Sequence, residues 1–160
     1  MNISWRLPLL AAVSAALVAC SPDGPASDGT AVVGDDPRIV VHDFSSELDM
    51  LVYLRLEYLP EHGCLVAHSI DFETHESVGV SAPIWPKDVE PLNKDGRIGV
   101  IHPEAGELVD GDDFTSGGSY LSTSDLDEAP GLPEECVPGG EFVTINTGPL
   151  EKGPYEENSP

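Results

Sequence analysis

Between about Ile39 and Thr147, short apolar runs alternate with turn residues at intervals suited to strands. The clearest run is Val52, Leu54, Leu56 and Tyr58, which alternates with Tyr53, Arg55 and Glu57. That alternation predicts a strand with one buried face. Pro60-Glu61-His62-Gly63 then reads as a turn, and Cys64-Leu65-Val66-Ala67-His68-Ser69-Ile70 as the antiparallel partner of a hairpin. A competing reading uses Ser46 and Asp49 to cap a helix from Glu47 through Leu59. It ranks second because it places Arg55 inside the apolar stripe of Leu48, Leu51, Val52 and Leu59. Further strands are expected at Val78 to Trp85, Arg97 to His102, Glu107 to Val109, Ser119 to Ser122 and Glu141 to Asn146, punctuated by prolines and glycines.

Helical stretches are scarce, and a purely parallel sheet needs crossover helices. The expected fold is therefore all-β, a small antiparallel OB-like barrel or a sandwich. A chain of 160 residues with 40% apolar content suffices for one domain with a buried core. Seven Lys and Arg stand against 29 Asp and Glu, a formal charge of −22. No basic stripe is available to neutralise phosphates, so nucleic acid is excluded as a partner.

The start of the chain differs in character. One cation, Arg6, precedes the apolar run Leu7 to Ala19, and Cys20 follows at once. The run is shorter than the roughly 20 apolar residues that a spanning helix needs, and Ser21-Pro22-Asp23-Gly24-Pro25 rules out a continuing core helix. Leu17-Val18-Ala19-Cys20 resembles the lipobox of bacterial lipoproteins. The resemblance implies that residues 1–19 are a signal peptide, that Cys20 carries a diacylglycerol thioether, and that the protein is held on the cell membrane facing out of the cytoplasm, at the cell surface or in the periplasm. Ordinary secretion with cleavage near Ala19, leaving Cys20 as a free thiol, is the alternative. Residues 20–38, with Pro22, Pro25 and Pro37, read as a flexible tether, 39–147 as the β domain, and 148–160 as a disordered acidic tail. Once Cys20 is assigned to lipid, Cys64 and Cys136 remain, and such a pair outside the cytoplasm most simply forms a disulfide. No C-x-x-C pair points to a redox role.

Candidate chemistry is sparse. Asp110, Asp112 and Asp113 surround Gly111 and offer hard oxygen ligands for calcium. An EF-hand reading fails, because Phe114, Thr115 and Leu121 stand where an oxygen ligand, a glycine and a bidentate Glu belong. A solvated turn is the plainer reading, as it is for Asp125, Asp127 and Glu128. Among His42, His62, His68, His75 and His102 no metal-binding spacing occurs; His68 and His75 facing each other across neighbouring strands, with Glu73 or Glu76 nearby, is the one arrangement that can be drawn. G-x-S-x-G and S-x-x-K are absent, and Gly117-Gly118-Ser119-Tyr120 lacks the lysine of a phosphate loop. Trp85 reads either as a groove aromatic or, more commonly, as core.

Pro83-Ile84-Trp85-Pro86, followed by Glu107-Leu108-Val109-Asp110-Gly111-Asp112 and Gly117-Gly118-Ser119-Tyr120, resembles small secreted β-barrel proteins of high-GC bacteria. That resemblance implies a fold and carries over no catalytic residue. The expectation for function is a lipid-anchored domain that binds another molecule or contributes to envelope structure, with no cofactor and no enzymatic role indicated. Its expected partners are the membrane, through the lipid, and a cationic protein or small ligand. Two alternatives are an inhibitor of a cationic secreted enzyme, such as a lysozyme or protease, and a metal-dependent enzyme. Loss of the leader removes Arg6 and no acid, which makes the remaining chain still more negative.

Overall fold

The alternation at residues 52–58 is realised as a strand. In the computed structural model, which describes residues 29–44, 50–126 and 130–155, β3 (Met50–Leu59) buries Val52, Leu54 and Leu56 and exposes Arg55. The competing helix does not form over these residues, and its caps Ser46 and Asp49 lie outside the described residues, as does Cys20. The expected hairpin partner is β4 (Cys64–Ile70), with Leu59 opposite Cys64 and Leu54 opposite Ser69. Gly63 completes the turn at φ +61°, where its amide and that of His62 both donate to the Leu59 carbonyl.

Eight more strands occur among the described residues: β1 (Thr30–Val33), β2 (Ile39–His42), β5 (Ser77–Pro86), β6 (Glu90–Lys94), β7 (Arg97–His102), β8 (Gly106–Val109), β9 (Asp113–Ser122) and β10 (Glu141–Lys152). β1 falls within the segment expected as tether, and β10 runs on into the segment expected as tail. Backbone pairing accounts for both: β1 lies antiparallel on β2, and β10 resumes its pairing with β9 at Leu150 after an irregularity at 146–149.

Five strands close a ring in the order β3-β4-β5-β10-β9 and back to β3. Four of its pairings are antiparallel, and β5 with β10 is parallel, Ala82 standing opposite Phe142. This is an OB-type barrel, all-β as expected. The three-stranded sheet β6-β7-β8 is inserted between β5 and β9. β2 extends the wall by lying parallel along the end of β5. β9 and β10 close tightly at Gly118, where a Cβ would stand 2.1 Å from the Thr144 carbonyl oxygen.

The barrel interior holds Val52, Leu54, Leu56, Leu65, Trp85, Phe114, Val143 and Ile145, and Val100 and Leu108 of the small sheet join it. A second cluster sits outside the barrel, where Val40, Ala82, Ile84 and Phe142 are covered by Leu121, Leu126, Leu132 and Val137. The Cys64–Cys136 disulfide, with Cα atoms 6.0 Å apart, ties this cover to the start of β4. Closing a loop of 72 residues removes about 4 kcal/mol of unfolded-state freedom in the chain-entropy model.

His42 and His102 are buried and hydrogen-bonded in neutral forms. His42 Nδ1 accepts from the Phe44 amide at 3.1 Å, which leaves Nε2–H to donate to the Ile145 carbonyl at 2.8 Å. His102 Nδ1 accepts from the amides of Glu104 and Ala105 at 3.3 and 3.2 Å. Burial holds both imidazoles below their ordinary value.

Two outcomes are expected. Cys136→Ser destabilises the chain by about 4 kcal/mol in urea unfolding, whereas two alkylatable thiols in native protein contradict the bond. Because the unfolded chain takes up protons at His42 and His102 before the folded one does, stability is full above pH ~6.5 and falls as pH drops toward the lowered folded values. His102→Gln therefore shows a shallower fall in urea midpoint between about pH 7 and 5, and an unchanged slope contradicts the assignment.

Candidate functional site

The inward residues of β3 build the core, so its outward residues, Leu51, Tyr53, Arg55 and Glu57, line the outer wall. Register places Tyr53 opposite Thr115, and Arg55 between Asp113 of β9 and His68 of β4. Arg55 grips Asp113 with two bonds, Nε to Oδ1 at 2.6 Å and Nη2 to Oδ2 at 2.9 Å. The Tyr53 hydroxyl donates to Asp113 Oδ2 at 3.1 Å and lies 3.3 Å from His75 Nδ1. Hydrogen bonding from Arg55 holds the Asp113 carboxyl below the usual carboxylate range, and desolvation, followed by Asp113, pushes the Tyr53 phenol up.

Tyr53 is only 2% exposed although it faces outward. It is roofed by Phe72, His75 and Tyr155, with ring centroids 5.6, 5.8 and 6.2 Å away, and Phe72 meets Tyr155 edge-on at 4.7 Å. Phe72 and His75 come from the β4–β5 turn. Asp71 Oδ1 organises that turn by accepting from the Glu73 amide and from the Thr74 amide and hydroxyl, and His75 sits at φ +57°. Such backbone conformations recur at functional sites. Tyr155 arrives from the other side, where the Gly153 amide donates to the Asp113 carbonyl at 2.7 Å and turns the chain back over β9.

Two cavities flank this roof. One of about 580 Å³ is lined by Leu51, Phe72, Glu73, His75 and Tyr155. The other, about 300 Å³, shares Leu51 and Tyr155 and reaches Thr115, Gly117, Asn146 and Glu151 at the irregular stretch of β10. Together they form an aromatic cleft with carboxylates at its rim.

A third cavity of about 400 Å³ lies further along the same wall, bounded by Arg55, Glu57, His68, Ser77, Asp110 and Gly111. Here His68 Nε2 meets Glu57 Oε2 at 2.5 Å while His68 Nδ1 faces Ser77 Oγ at 3.1 Å.

The candidate calcium ligands Asp110, Asp112 and Asp113 are not brought together around a common point. Asp110 Oδ1 accepts from the Tyr58 amide, Asp112 Oδ2 from the Val109 amide and from Lys152, and Asp113 belongs to Arg55. Each carboxylate serves strand and turn geometry, and among the described residues no three His, Cys, Asp or Glu side chains are placed to share a metal. Trp85 lines no groove; it is fully buried against Phe114, at 5.6 Å between centroids, because it belongs to the inward register of β5. Its Nε1 finds no hydrogen-bond partner. His68 and His75 do not form a pair, since His68 engages Glu57 and Ser77 while His75 engages Tyr53. Asp125 accepts from the Ser122 amide and hydroxyl, and Asp127 and Glu128 lie outside the described residues.

OB barrels often bind ligands on the face of their second and third strands, here β4 and β5. In this chain the end of that face is filled by its own segment around Leu132 and Val137, pinned by the disulfide. Compared with protein-family models, curated proteins and solved structures, the chain matches none.

Asp113→Ala leaves the buried Tyr53 hydroxyl without its acceptor and frees Arg55, at an expected cost of about 2 kcal/mol in urea unfolding. A change below about 0.3 kcal/mol contradicts the bracing role of this carboxylate.

Proposed function

We propose that the chain is an extracytoplasmic binding domain, anchored to a bacterial membrane through lipid on Cys20, that takes a partly apolar ligand in the aromatic cleft between Phe72 and Tyr155. The observation that carries this reading is the exposure of large apolar groups around a formed cavity: Leu51 is 52% and Phe72 36% exposed at its rim. Ligand sites combine such apolar lining with a few placed polar groups, a part that Glu73 and His75 fill here. The Cys64–Cys136 bond supports an oxidising location, in keeping with the lipobox resemblance.

A second reading, an inhibitor of a cationic secreted enzyme, draws on charge. Arg55, Arg97 and Lys152 pair with Asp113, Glu107 and Asp112, and Arg38 donates to the His62 carbonyl, so the surplus of acids dominates the outer field. Salt-sensitive capture of a basic enzyme, undiminished by changes in the cleft, favours this reading over the first.

The neutral fluorophore Nile red probes the cleft without charge bias. Leu51→Glu is expected to weaken its binding about fivefold or more, while Ile101→Glu, at another exposed apolar position, leaves it unchanged. Equal loss in both variants, or in neither, contradicts the site. Mass spectrometry of the membrane fraction should find diacylated Cys20 at the N-terminus, and an unmodified chain in the culture supernatant overturns the anchor.

A further inference from the structure

From the third cavity we infer that Ser77 is an acyl-accepting nucleophile, with His68 as its general base and Glu57 as the positioning residue, acting on carboxylic esters. The inference is independent of the aromatic cleft, because none of the three lines it.

Three features carry it. The first is the order of contacts, hydroxyl to imidazole to carboxylate, at 3.1 and 2.5 Å. A carboxylate accepts only, so Glu57 holds the proton of His68 on Nε2 and leaves the Nδ1 lone pair facing Ser77. That is the tautomer a general base needs, and a nucleophile, base and orienter in hydrogen-bond reach are the elements of acyl-transfer sites.

The second is the backbone that aims Ser77. Ala67 stands opposite Ser81 and Ser69 opposite Gly79, a register that would send residue 77 inward with Ser81 and Trp85. Ile70 instead stands opposite Ser77, so Val78 is an extra residue in β5 and the strand shifts by one. The bulge turns Ser77 to the outer face that His68 occupies, and bulges re-aim side chains in this way beside active sites. The third is the cavity itself, about 400 Å³ in volume, which places Ser77, His68 and Glu57 on one open wall beside the Arg55–Asp113 pair.

The chemistry balances with water as the only co-reactant. Ser77 Oγ bonds to the ester carbonyl carbon as its proton passes to His68 Nδ1. The carbon–oxygen bond to the alcohol then breaks, and His68 returns that proton to the leaving alkoxide. Water attacks the acyl-serine and gives a proton to His68, and collapse releases the carboxylic acid and restores Ser77 with the proton from His68. Nothing is oxidised or reduced.

The test treats the full-length protein with a fluorophosphonate probe and, separately, with p-nitrophenyl acetate. Expected are phosphonylation at Ser77, located by peptide mass spectrometry, and ester hydrolysis that Ser77→Ala abolishes. His68→Gln slows labelling by about a hundredfold or more, and Glu57→Gln by about tenfold or more, with urea midpoints close to the parent's. Nitrogen-15 spectra should show the His68 proton on Nε2 in the parent and a mixture of tautomers in Glu57→Gln, and slower labelling at an unchanged urea midpoint separates positioning of the base from a purely structural role. Absence of labelling, labelling at another residue, or an unchanged rate in His68→Gln overturns the assignment. Mapping on the parent protein decides the matter even where a substitution disturbs folding.

Discussion

Strand β5 hydrogen-bonds to β4 along its first half and to β10 and β2 along its second, and this double engagement turns a row of strands into a ring. Every outward-facing group owes its neighbours to that closure. Because side chains alternate between faces, a slip of one residue on β3 would exchange Leu54 and Leu56 for Tyr53 and Arg55 in the core. The apolar interior thus sets the register, and the register sets which polar groups meet on the wall. Arg55 stands between Asp113 and His68 for this reason, and the aromatic roof over Tyr53 follows from the turn and the C-terminal segment that the barrel brings to either side.

The outer surface is divided between structure and chemistry. Near the end of β5, the segment carrying Leu132 and Val137 covers apolar residues that would otherwise face water, and the disulfide holds it there. Among the described residues, the wall along β3 is left open. It runs from the aromatic cleft at Leu51, through the Arg55–Asp113 brace, to Glu57 and His68, with the β4–β5 turn supplying Phe72 and His75 to one end and the start of β5 supplying Ser77 to the other. Along a strand, Leu51 and Glu57 are separated by roughly 20 Å, so the two places are neighbours on one surface and remain separate cavities.

Much of the barrel was legible from pattern. The β3–β4 hairpin showed its alternation and turn, and prolines or glycines marked the ends of β7 and β8. Elsewhere strand pairing overrides the local signals. β6 carries Pro91 yet forms a strand at the margin of the small sheet, where a missing donor is tolerated. Gly148-Pro149 reads as an end, but β10 passes through it as an irregularity and resumes. Tyr53 sits on the polar face by period and is buried all the same, because its cover comes from residues 72, 75 and 155, distant in sequence. The meeting of Glu57 with His68 could have been counted from the hairpin, since Leu59 opposite Cys64 puts Arg55 opposite His68 and Glu57 one same-face step away. Ser77 had no such signal, because the extra residue at Val78 reverses its face.

A closed barrel of this one register presents the wall along β3. Nuclear Overhauser contacts between backbone protons of β5 and β10 test it most directly, because the parallel pairing is what completes the ring. Contacts are expected in parallel register around Ala82 with Phe142 and Ile84 with Thr144, together with ring contacts from Tyr53 to Phe72 and Tyr155. Antiparallel contacts between these strands, or an unpaired β5 edge beside β10, would contradict it.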